Sequence, residues 1–587
     1  MLEPYRMVIV NVIASILLGA GLLVYIYIYP QKKPKLFPLL LIISLLPLIS
    51  ILRKGTYESG DLSLHAKFAM QFFDNLQQGN FSPEWIGRHC SGYGCPLYIF
   101  IFPLPYYFIS FFHWLGFSFI ASVKALIICS YIVSGIGMYL WIKNELDEKA
   151  AFVASIFYLY APYHLIDLHF RVSIGELLSM ALLPYLFLLI KKIVETLRPI
   201  YFVMNAFLFA LLILSHQVTT LASLPLVFIY GLLVLWRKKQ KKLLRLSMMS
   251  LSLFLGILLA SFYWIPVLVE GKDTYYKLTN SIAFHPLSSF LYSPNRFGLL
   301  FQGHFGEYYL NVGYVQWLVI GYCIYLLWKK KVQGKEKILL TFCLVTFAVL
   351  FFMMQSVSKP IWDSVSLLKS FQFSWRLLIE EMIMVSVMAA IIAKKINRNF
   401  FIIILCTVTI LYTILNWGNR KTLPDINDTI LRGQNIFDEH QGPGGVDLTT
   451  PKWVDEYKPW IGKKPQYTIE TLSGNATFKT LNHSIIKHEY TIKVTNNALI
   501  KENTYYYPGW IVTANGKDLP ILFNNKNYPG VITFHLKKGT YHVSLFFTDT
   551  FDRKIAKVIS IITFIILSIY LFSYVVMKKK FTVVFER

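Results

Sequence analysis

The chain has 587 residues, 55% of them hydrophobic and 16% aromatic, with a mean hydropathy of +0.50, which excludes a soluble globular protein. Its formal charge of +25 would point to nucleic acid in a soluble chain. Here most Lys and Arg fall in short links between apolar runs, the positive-inside pattern of a multispanning membrane protein, so no nucleic-acid partner is expected.

The first span is predicted at Met7–Tyr29, followed by the basic link QKKPK and a second span at Leu36–Leu52. The first run lacks a clear small-residue cleavage site and a second follows at once, so no cleavable signal is expected. Positive-inside puts QKKPK in the cytoplasm and the next segment, Gly55–Pro105, outside. That segment is the polar interruption of the chain. Asp61 and His65 are spaced i, i+4 beside Glu58 and share a face if helical. Leu64, Phe68, Phe72 and Leu76 recur every three to four residues, the pattern of a helix lying in the membrane interface. Asp61 before that run also reads as an N-cap. Cys90 and Cys95, in HCSGYGCP, are a disulfide candidate in an oxidising compartment; a zinc site with His89 would lack further close ligands. Cys129, Cys323, Cys343 and Cys406 sit in apolar runs and read as buried small hydrophobes.

Leu97–Gly116 is long enough to cross but carries Pro103, Pro105, His113 and Trp114. If it crossed, the later basic links would face outward while QKKPK faced inward, so it is read as re-entrant or interfacial. Spans then follow at Phe119–Trp141, Ala151–Ile166, Leu177–Ile193, Tyr201–Ser215, Leu221–Trp236 and Leu246–Pro266. Further spans follow at Tyr314–Trp328, Ile338–Met354, Leu377–Ala393, Phe400–Trp417 and Ala556–Met577. The total is about thirteen, with the N-terminus outside and the C-terminus cytoplasmic.

Between Gly418 and Arg553 the Leu-rich runs give way to Asn, Asp, Gly, Pro and Thr, and the period falls to two. Strand candidates are Tyr467–Thr471, Ala476–Leu481, Ile485–Val494, Thr504–Tyr507, Trp510–Thr513, Pro520–Phe523, Val531–Leu536 and Tyr541–Thr548, with a hairpin turn at Asn515–Gly516. About eight short strands suggest an extracytoplasmic β-sandwich or jelly roll. The expected organisation is a helical membrane domain over 1–417 with a catalytic outer loop at 53–118. An outer β-domain over 418–553 and a last span with cytoplasmic tail over 554–587 complete it. The stretch HQGPGGVD is expected to wind over the outer membrane surface.

The ionisable residues that this topology gathers on the outer face are the functional candidates, because such groups at span ends are costly unless they are paired or solvated. They are Glu58, Asp61, His65, Glu84, Arg88, His164, Asp167, His169, Arg171, Glu176, His216, Glu270, His304, Glu307, Arg376, Glu380 and Glu381. A carboxylate can act as general base toward a hydroxyl while cations hold a phosphate leaving group. Blander readings stand beside these: Asp61 as a cap, Arg171 snorkelling or paired with Asp167, His216 as a packed polar residue. Asp61 is also the candidate ligand for a divalent ion, Mg2+ or Mn2+, although no tight ligand motif is present.

Many spans, an acidic residue in the first large outer loop, an interfacial helix there and an outer C-terminal domain together resemble the GT-C membrane glycosyltransferases. The segments GYGCPLYIFIFPLPYYF, YAPYHLIDLHFRVSIGELLSMALLPY, LSHQ, FYWIPVLVE and FQFSWRLL resemble a bacterial multispanning family named for a supposed relation to 6-pyruvoyl-tetrahydropterin synthase. YYYPGW with HLKKGTYHVSLFF resembles the C-terminal part of YfhO-like membrane glycosyltransferases. The resemblance implies transfer of a sugar from a polyprenyl-phosphate donor to an envelope glycan, polymer or protein at the outer face of the cell membrane. Asp61 matches the acidic position that serves as base for the acceptor. Arg171 and Arg376 match basic positions in outer links, with donor phosphate binding as their implied role and His169, Glu176, His216, Glu270, His304 and Glu307 as further donor-side candidates. The single Asp of GD departs from the paired DxD of some GT-C members, which puts metal dependence in doubt. The alternatives are a lipid-linked sugar flippase, which calls for charges at mid-membrane depth and internal repeats, and a non-catalytic glycan-binding scaffold.

Overall fold

The computed structural model describes residues 3–585 apart from 33, 276–281, 304–305, 397, 419, 434–447 and 456–463. His304 and the HQGPGGVD stretch at 440–447 lie outside the described residues.

Every apolar run read as a span is helical. Eight helices are long and apolar enough to cross a membrane: Arg6–Ile28, Phe119–Glu145, Ile174–Thr196, Gln217–Trp236, Lys242–Leu259, Gly334–Met353, Asn399–Asn416 and Phe551–Tyr574. Glu148–Leu159 and Pro162–Arg171 make a ninth if they are taken as one span bent by 47°. The bend falls where Ala161 is extended ahead of Pro162, whose ring disfavours helix in the residue before it. Leu36–Leu52, Pro199–Ser215 and Tyr314–Trp328 are apolar but shorter, and Leu378–Lys395 is apolar between an acidic first turn and a basic last turn. Length and hydropathy thus support eight or nine crossings among the described residues, with the other expected segments as shorter or more charged helices. Leu97–Gly116 is two short helices, Leu97–Phe100 and Leu104–Trp114. The longer rises roughly 16 Å against a hydrocarbon thickness of about 30 Å, so neither crosses.

The two ends of the bundle differ chemically. Ile174–Thr196 has Glu176 in its first turn and Lys191 toward its other end, roughly 22 Å along the axis. At the Lys191 end the basic links converge. Lys191 and Arg237 lie 2.9 and 3.0 Å from Glu145, and Lys335 donates to the Glu145 carbonyl at 3.4 Å. The first polar loop stands at the Glu176 end.

A two-residue ribbon, β1 (Thr56–Tyr57) against β2 (Thr422–Leu423), joins that loop to the segment leaving the bundle. The Asp428 carboxylate then caps the long Phe119–Glu145 helix, accepting from Phe119 N at 2.7 Å and Ile120 N at 3.3 Å, where the helix dipole favours an anion. Beyond it come β3 (Ile469–His483), β4 (Lys487–Tyr505), β5 (Trp510–Ala514), β6 (Lys517–Leu519), β7 (Val531–Leu536) and β8 (Gly539–Phe547). They form one antiparallel sheet in the order β3-β4-β8-β5-β6, with β7 also on β4. The expected count of about eight strands is corrected to six, hydrogen-bonded in one branched sheet. Gly474 accounts for one merger: its φ of +79 and the register shifts beside it carry β3 through a polar SGN stretch that reads as a gap. Pro520–Phe523 reduces to an isolated bridge between Leu522 and Thr533. The Asn515–Gly516 hairpin turn is present, with φ of 50 and 77. Cys90 and Cys95 are disulfide-bonded, and Cys129 is exposed whereas Cys323, Cys343 and Cys406 are buried.

One ion cluster ties sheet to bundle. Arg553, fully buried at the start of the last helix, donates to Glu270 from Nε (2.9 Å) and Nη2 (2.7 Å), to Glu84 from Nη1 (3.0 Å), and to the Pro508 carbonyl (3.0 Å). Lys557 adds contacts to Glu84 at 2.8 Å and Asp549 at 2.6 Å. Glu270 is therefore corrected from a donor-side candidate to a structural partner of Arg553, because its carboxylate is consumed by the guanidinium and by Thr550 at 2.9 Å. Replacing Arg553 by Met leaves the Glu270 carboxylate buried without its counter-ion and Glu84 with Lys557 alone. We expect a loss of about 3–5 kcal/mol, read as a lower thermal midpoint in detergent, with Glu270→Met in the same chain restoring part of it.

Candidate functional site

Asp61 occupies the N-cap of the Leu62–Gln77 helix, yet its carboxylate makes no capping bond; Ser59 Oγ accepts from Leu62 N at 3.3 Å. The backbone around it is pinned from across the fold. Gly60 N–H donates to the Phe170 carbonyl at 2.7 Å and Asp61 N–H to the Arg171 carbonyl at 2.9 Å. Glycine is required here by approach, since a Cβ on Gly60 would stand 2.9 Å from that Arg171 oxygen. Asp61 and Arg171 thus belong to one site. His65, one turn along, places Nδ1 2.8 Å from the hydroxyl of the fully buried Tyr106, which lies within electrostatic range of Asp61.

Three residues close the site from later in the chain. The Tyr308 hydroxyl donates to the Phe170 carbonyl at 3.5 Å. Burial lifts the Tyr308 phenol above its usual range; Arg171 and Arg420 oppose this, while Asp61 and Asp167 add to it. Arg420 donates to the Glu58 carbonyl at 2.7 Å and packs over the Phe170 ring. The Glu58 side chain is exposed, and its backbone N–H is held by Lys421 O at 3.0 Å.

Behind Asp61 lies a compact ion cluster. Arg171 Nη1 donates to Tyr163 Oη (2.6 Å), Asp167 (2.6 Å) and Glu176 (2.9 Å), and Nη2 to Glu176 (3.0 Å). Arg376 Nε reaches the same Glu176 carboxylate at 3.1 Å. Two guanidinium groups face two carboxylates, so the cluster is formally neutral, as burial requires. The backbone is strained on both sides of it. Asp167–Arg171 is a π-helical turn closed by Val172 in the left-handed region at φ 58, and Gln372, which accepts from Arg376 at 3.4 Å, has φ 59. Such conformations cost about 1–3 kcal/mol each and gather at functional sites.

Arg171 is thus mostly committed to carboxylates rather than open to a phosphate. Arg376 Nη2 makes no hydrogen bond among the described residues. His216 lies within electrostatic range of Glu176 and Arg376, packs against Phe102 and caps the Gln217–Trp236 helix through Thr219. His164 bonds the Tyr158 carbonyl at 3.0 Å, not the Asp167–Arg171 pair. His169 is buried with Nε2 unpartnered among the described residues and lies within electrostatic range of Arg53. Glu307 is exposed, and Glu380 accepts from Ser223 at 2.7 Å. Spacing did not single out Tyr163, Tyr106, Tyr308 and Arg420. The first two are aromatic hydroxyls inside apolar runs, and the others come from distant loops.

A largely apolar cavity of about 640 Å³ opens beside the cluster, lined by Ile213, Leu221, Leu224, Ile257, Val267 and Leu268 together with Lys272, Lys369, Gln217 and Gln372. Gln372 links its wall to Arg376. Metal-ligand spacing occurs among the described residues at His89, Cys90 and Cys95, where the disulfide removes both thiolates, and at His483, His488 and Glu502. Neither group includes Asp61.

A family model described as 6-pyruvoyl-tetrahydropterin synthase related domain, membrane protein, matches residues 99–419. An uncharacterized protein of Lactococcus lactis subsp. cremoris (strain MG1363) is 25% identical over 252 residues, and the match spans 41% of each chain. The mycobacterial arabinofuranosyltransferase AftD overlaps 65% of this chain and 26% of its own length at 13% identity and a TM-score of 0.40. The Archaeoglobus fulgidus oligosaccharyltransferase, solved with Zn and sulfate, overlaps 66% and 53% at 14% identity and a TM-score of 0.36. Both overlaps are too loose to bear on activity.

Gly60→Ala forces apart the contact between the first loop and Arg171. We expect faster amide exchange at residues 60 and 61 and a stability loss of about 1–3 kcal/mol, while Ser82→Ala, at a distance, changes neither.

Proposed function

The chain belongs to the 6-pyruvoyl-tetrahydropterin synthase related family of membrane proteins, and from that premise we propose that it is a GT-C-type glycosyltransferase. On this reading it moves a sugar from a polyprenyl-phosphate donor to an acceptor in the cell envelope. The observation that carries the reading is the position of Asp61. Its backbone hangs from Arg171, and His65, Tyr106 and Tyr308 lie around it. The apolar cavity supports the donor class, since its aliphatic lining suits an isoprenoid chain. Lys272, Lys369 and the uncommitted edge of Arg376 then stand ready for phosphate.

In the transfer, the acceptor oxygen attacks the anomeric carbon as the bond from that carbon to the phosphate oxygen breaks. Asp61 takes the acceptor's hydroxyl proton, and polyprenyl phosphate departs with the electron pair of the broken bond and its negative charge. Lys272, Lys369 and Arg376 are worth most at that moment, because charge grows on the phosphate as the bond lengthens. His65 and Tyr106 act on Asp61 by holding its helix turn. The sheet domain guides the acceptor, and this end of the bundle faces outward, since the basic links gather at the other.

Asp61→Asn keeps the shape and removes the base. Assayed in purified protein with polyprenyl-phosphate sugars, it is expected to lower turnover by about 10²–10⁴-fold; unchanged turnover in a folded variant overturns the proposal. Single-cysteine replacements read the orientation. An impermeant maleimide should label Ser82→Cys on intact cells and Lys239→Cys only after permeabilisation.

A further inference from the structure

A second cavity, of about 540 Å³, lies between the C-terminal half of the Leu62–Gln77 helix and strands β3 and β4. It is more polar than the first cavity, and its size is within the roughly 300–1,000 Å³ of small-molecule sites. Two nearly buried amides line it from opposite sides. Gln71 accepts from Arg88 N at 2.7 Å through Oε1, while its Nε2 has no partner among the described residues. Asn503 donates to the Tyr467 carbonyl at 2.6 Å through Nδ2, while its Oδ1 has none. Each amide is fixed at one end and bare at the other. One offers a donor and the other an acceptor, the pair of functions that a hydroxyl group satisfies.

The rest of the wall narrows the ligand further. Tyr467 is exposed at the rim, where a ring can stack on the apolar face of a sugar. Charge is uneven. The Asp74 carboxylate is already bound by Arg432 at 2.8 and 3.3 Å, whereas Arg88 and Lys464 also line the cavity. Once that ion pair is set aside, cationic groups remain.

We propose that this cavity binds a saccharide bearing carboxylate or phosphate, with Gln71 and Asn503 sharing a sugar hydroxyl, Tyr467 stacking on a ring, and Arg88 and Lys464 holding the anion. It is an acceptor subsite, and to that extent it rests on the transferase reading. Gln71 lies ten residues along the helix from Asp61, roughly 15 Å by helical rise. The bound unit is therefore a few sugars back from the acceptor hydroxyl, which makes the acceptor a polymer rather than a monosaccharide.

The test is binding, not turnover. Full-length protein in detergent is applied to an array of bacterial envelope saccharides, beside Arg88→Ala and Tyr467→Ala, both surface changes that should leave the thermal midpoint unmoved. Wild type is expected to be retained on carboxylate- or phosphate-bearing glycans over neutral ones, and each variant to weaken retention about tenfold or more. Absence of retention, equal retention on neutral glycans, or retention that survives both variants overturns the proposal. Transfer is read separately through Asp61→Asn. Saccharide binding in a chain without transferase activity keeps the site and removes only its acceptor role.

Discussion

Holding ions away from water is the hardest thing this fold does, and the Arg171–Glu176–Arg376 cluster is where it does it. An isolated guanidinium or carboxylate among apolar helices costs several kcal/mol even after relaxation. The cost falls only if opposite charges arrive together with their hydrogen bonds satisfied. Asp167, Arg171, Glu176 and Tyr163 come from one stretch of chain, and Arg376 arrives from two hundred residues away to bind the same carboxylate. The stretch places Asp167 and Arg171 on one face by widening its last turn into a π-helix and closing it at Val172 in the left-handed region. That strain persists because the ion network over-determines the geometry. Asp61 inherits its position from this arrangement, since its amide bonds the carbonyl of Arg171 itself.

Arg553 solves a related problem by other means. It is fully buried and carries its charge between Glu270, Glu84 and backbone carbonyls, joining the last helix, a bundle helix, the first loop and the sheet. Burial pushes the Glu84 carboxyl up, and Arg553 and Lys557 pull against it without fully cancelling the effect. The two clusters separate roles that outer-face carboxylates share on paper. Glu176 organises the ground beneath Asp61, whereas Glu270 fastens the sheet domain to the membrane helices. Tyr93, in the wall of the cavity between loop and sheet, stacks on Tyr505 at 4.8 Å and reinforces the second junction.

The membrane part was legible in sequence because hydropathy acts locally: every apolar run is a helix, and basic links mark one end of the bundle. Asp61 with His65 and the Arg171 neighbourhood could also be read, since they lie within single helical turns. What could not be read was commitment. Sequence places Arg171, Arg376 and Glu270 near a polar face but cannot say that a carboxylate already occupies each guanidinium. The same limit hid Tyr106, Tyr308 and Arg420, whose relation to Asp61 exists only once distant loops meet. In the sheet domain, period-two patterning located the strands. It could not tell that Gly474 continues a strand rather than ending it, and so one long strand looked like two.

The chain carries two unlike cavities, one linked to Arg376 through Gln372 and the other against the Leu62–Gln77 helix that follows Asp61. One cavity is lined mainly by aliphatic side chains, with lysines and glutamines among them; the other mixes amides and cations with aromatic side chains such as Trp85 and Tyr467. A flippase needs one continuous polar route with charge at mid-depth. Here the central charges cancel within a packed cluster, and the polar cavity sits against the sheet domain rather than inside the bundle. On the proposed transferase reading, two separate pockets of unlike lining suit two substrates, one drawn from lipid and one from water. Transfer between them explains that division more simply than transport of either.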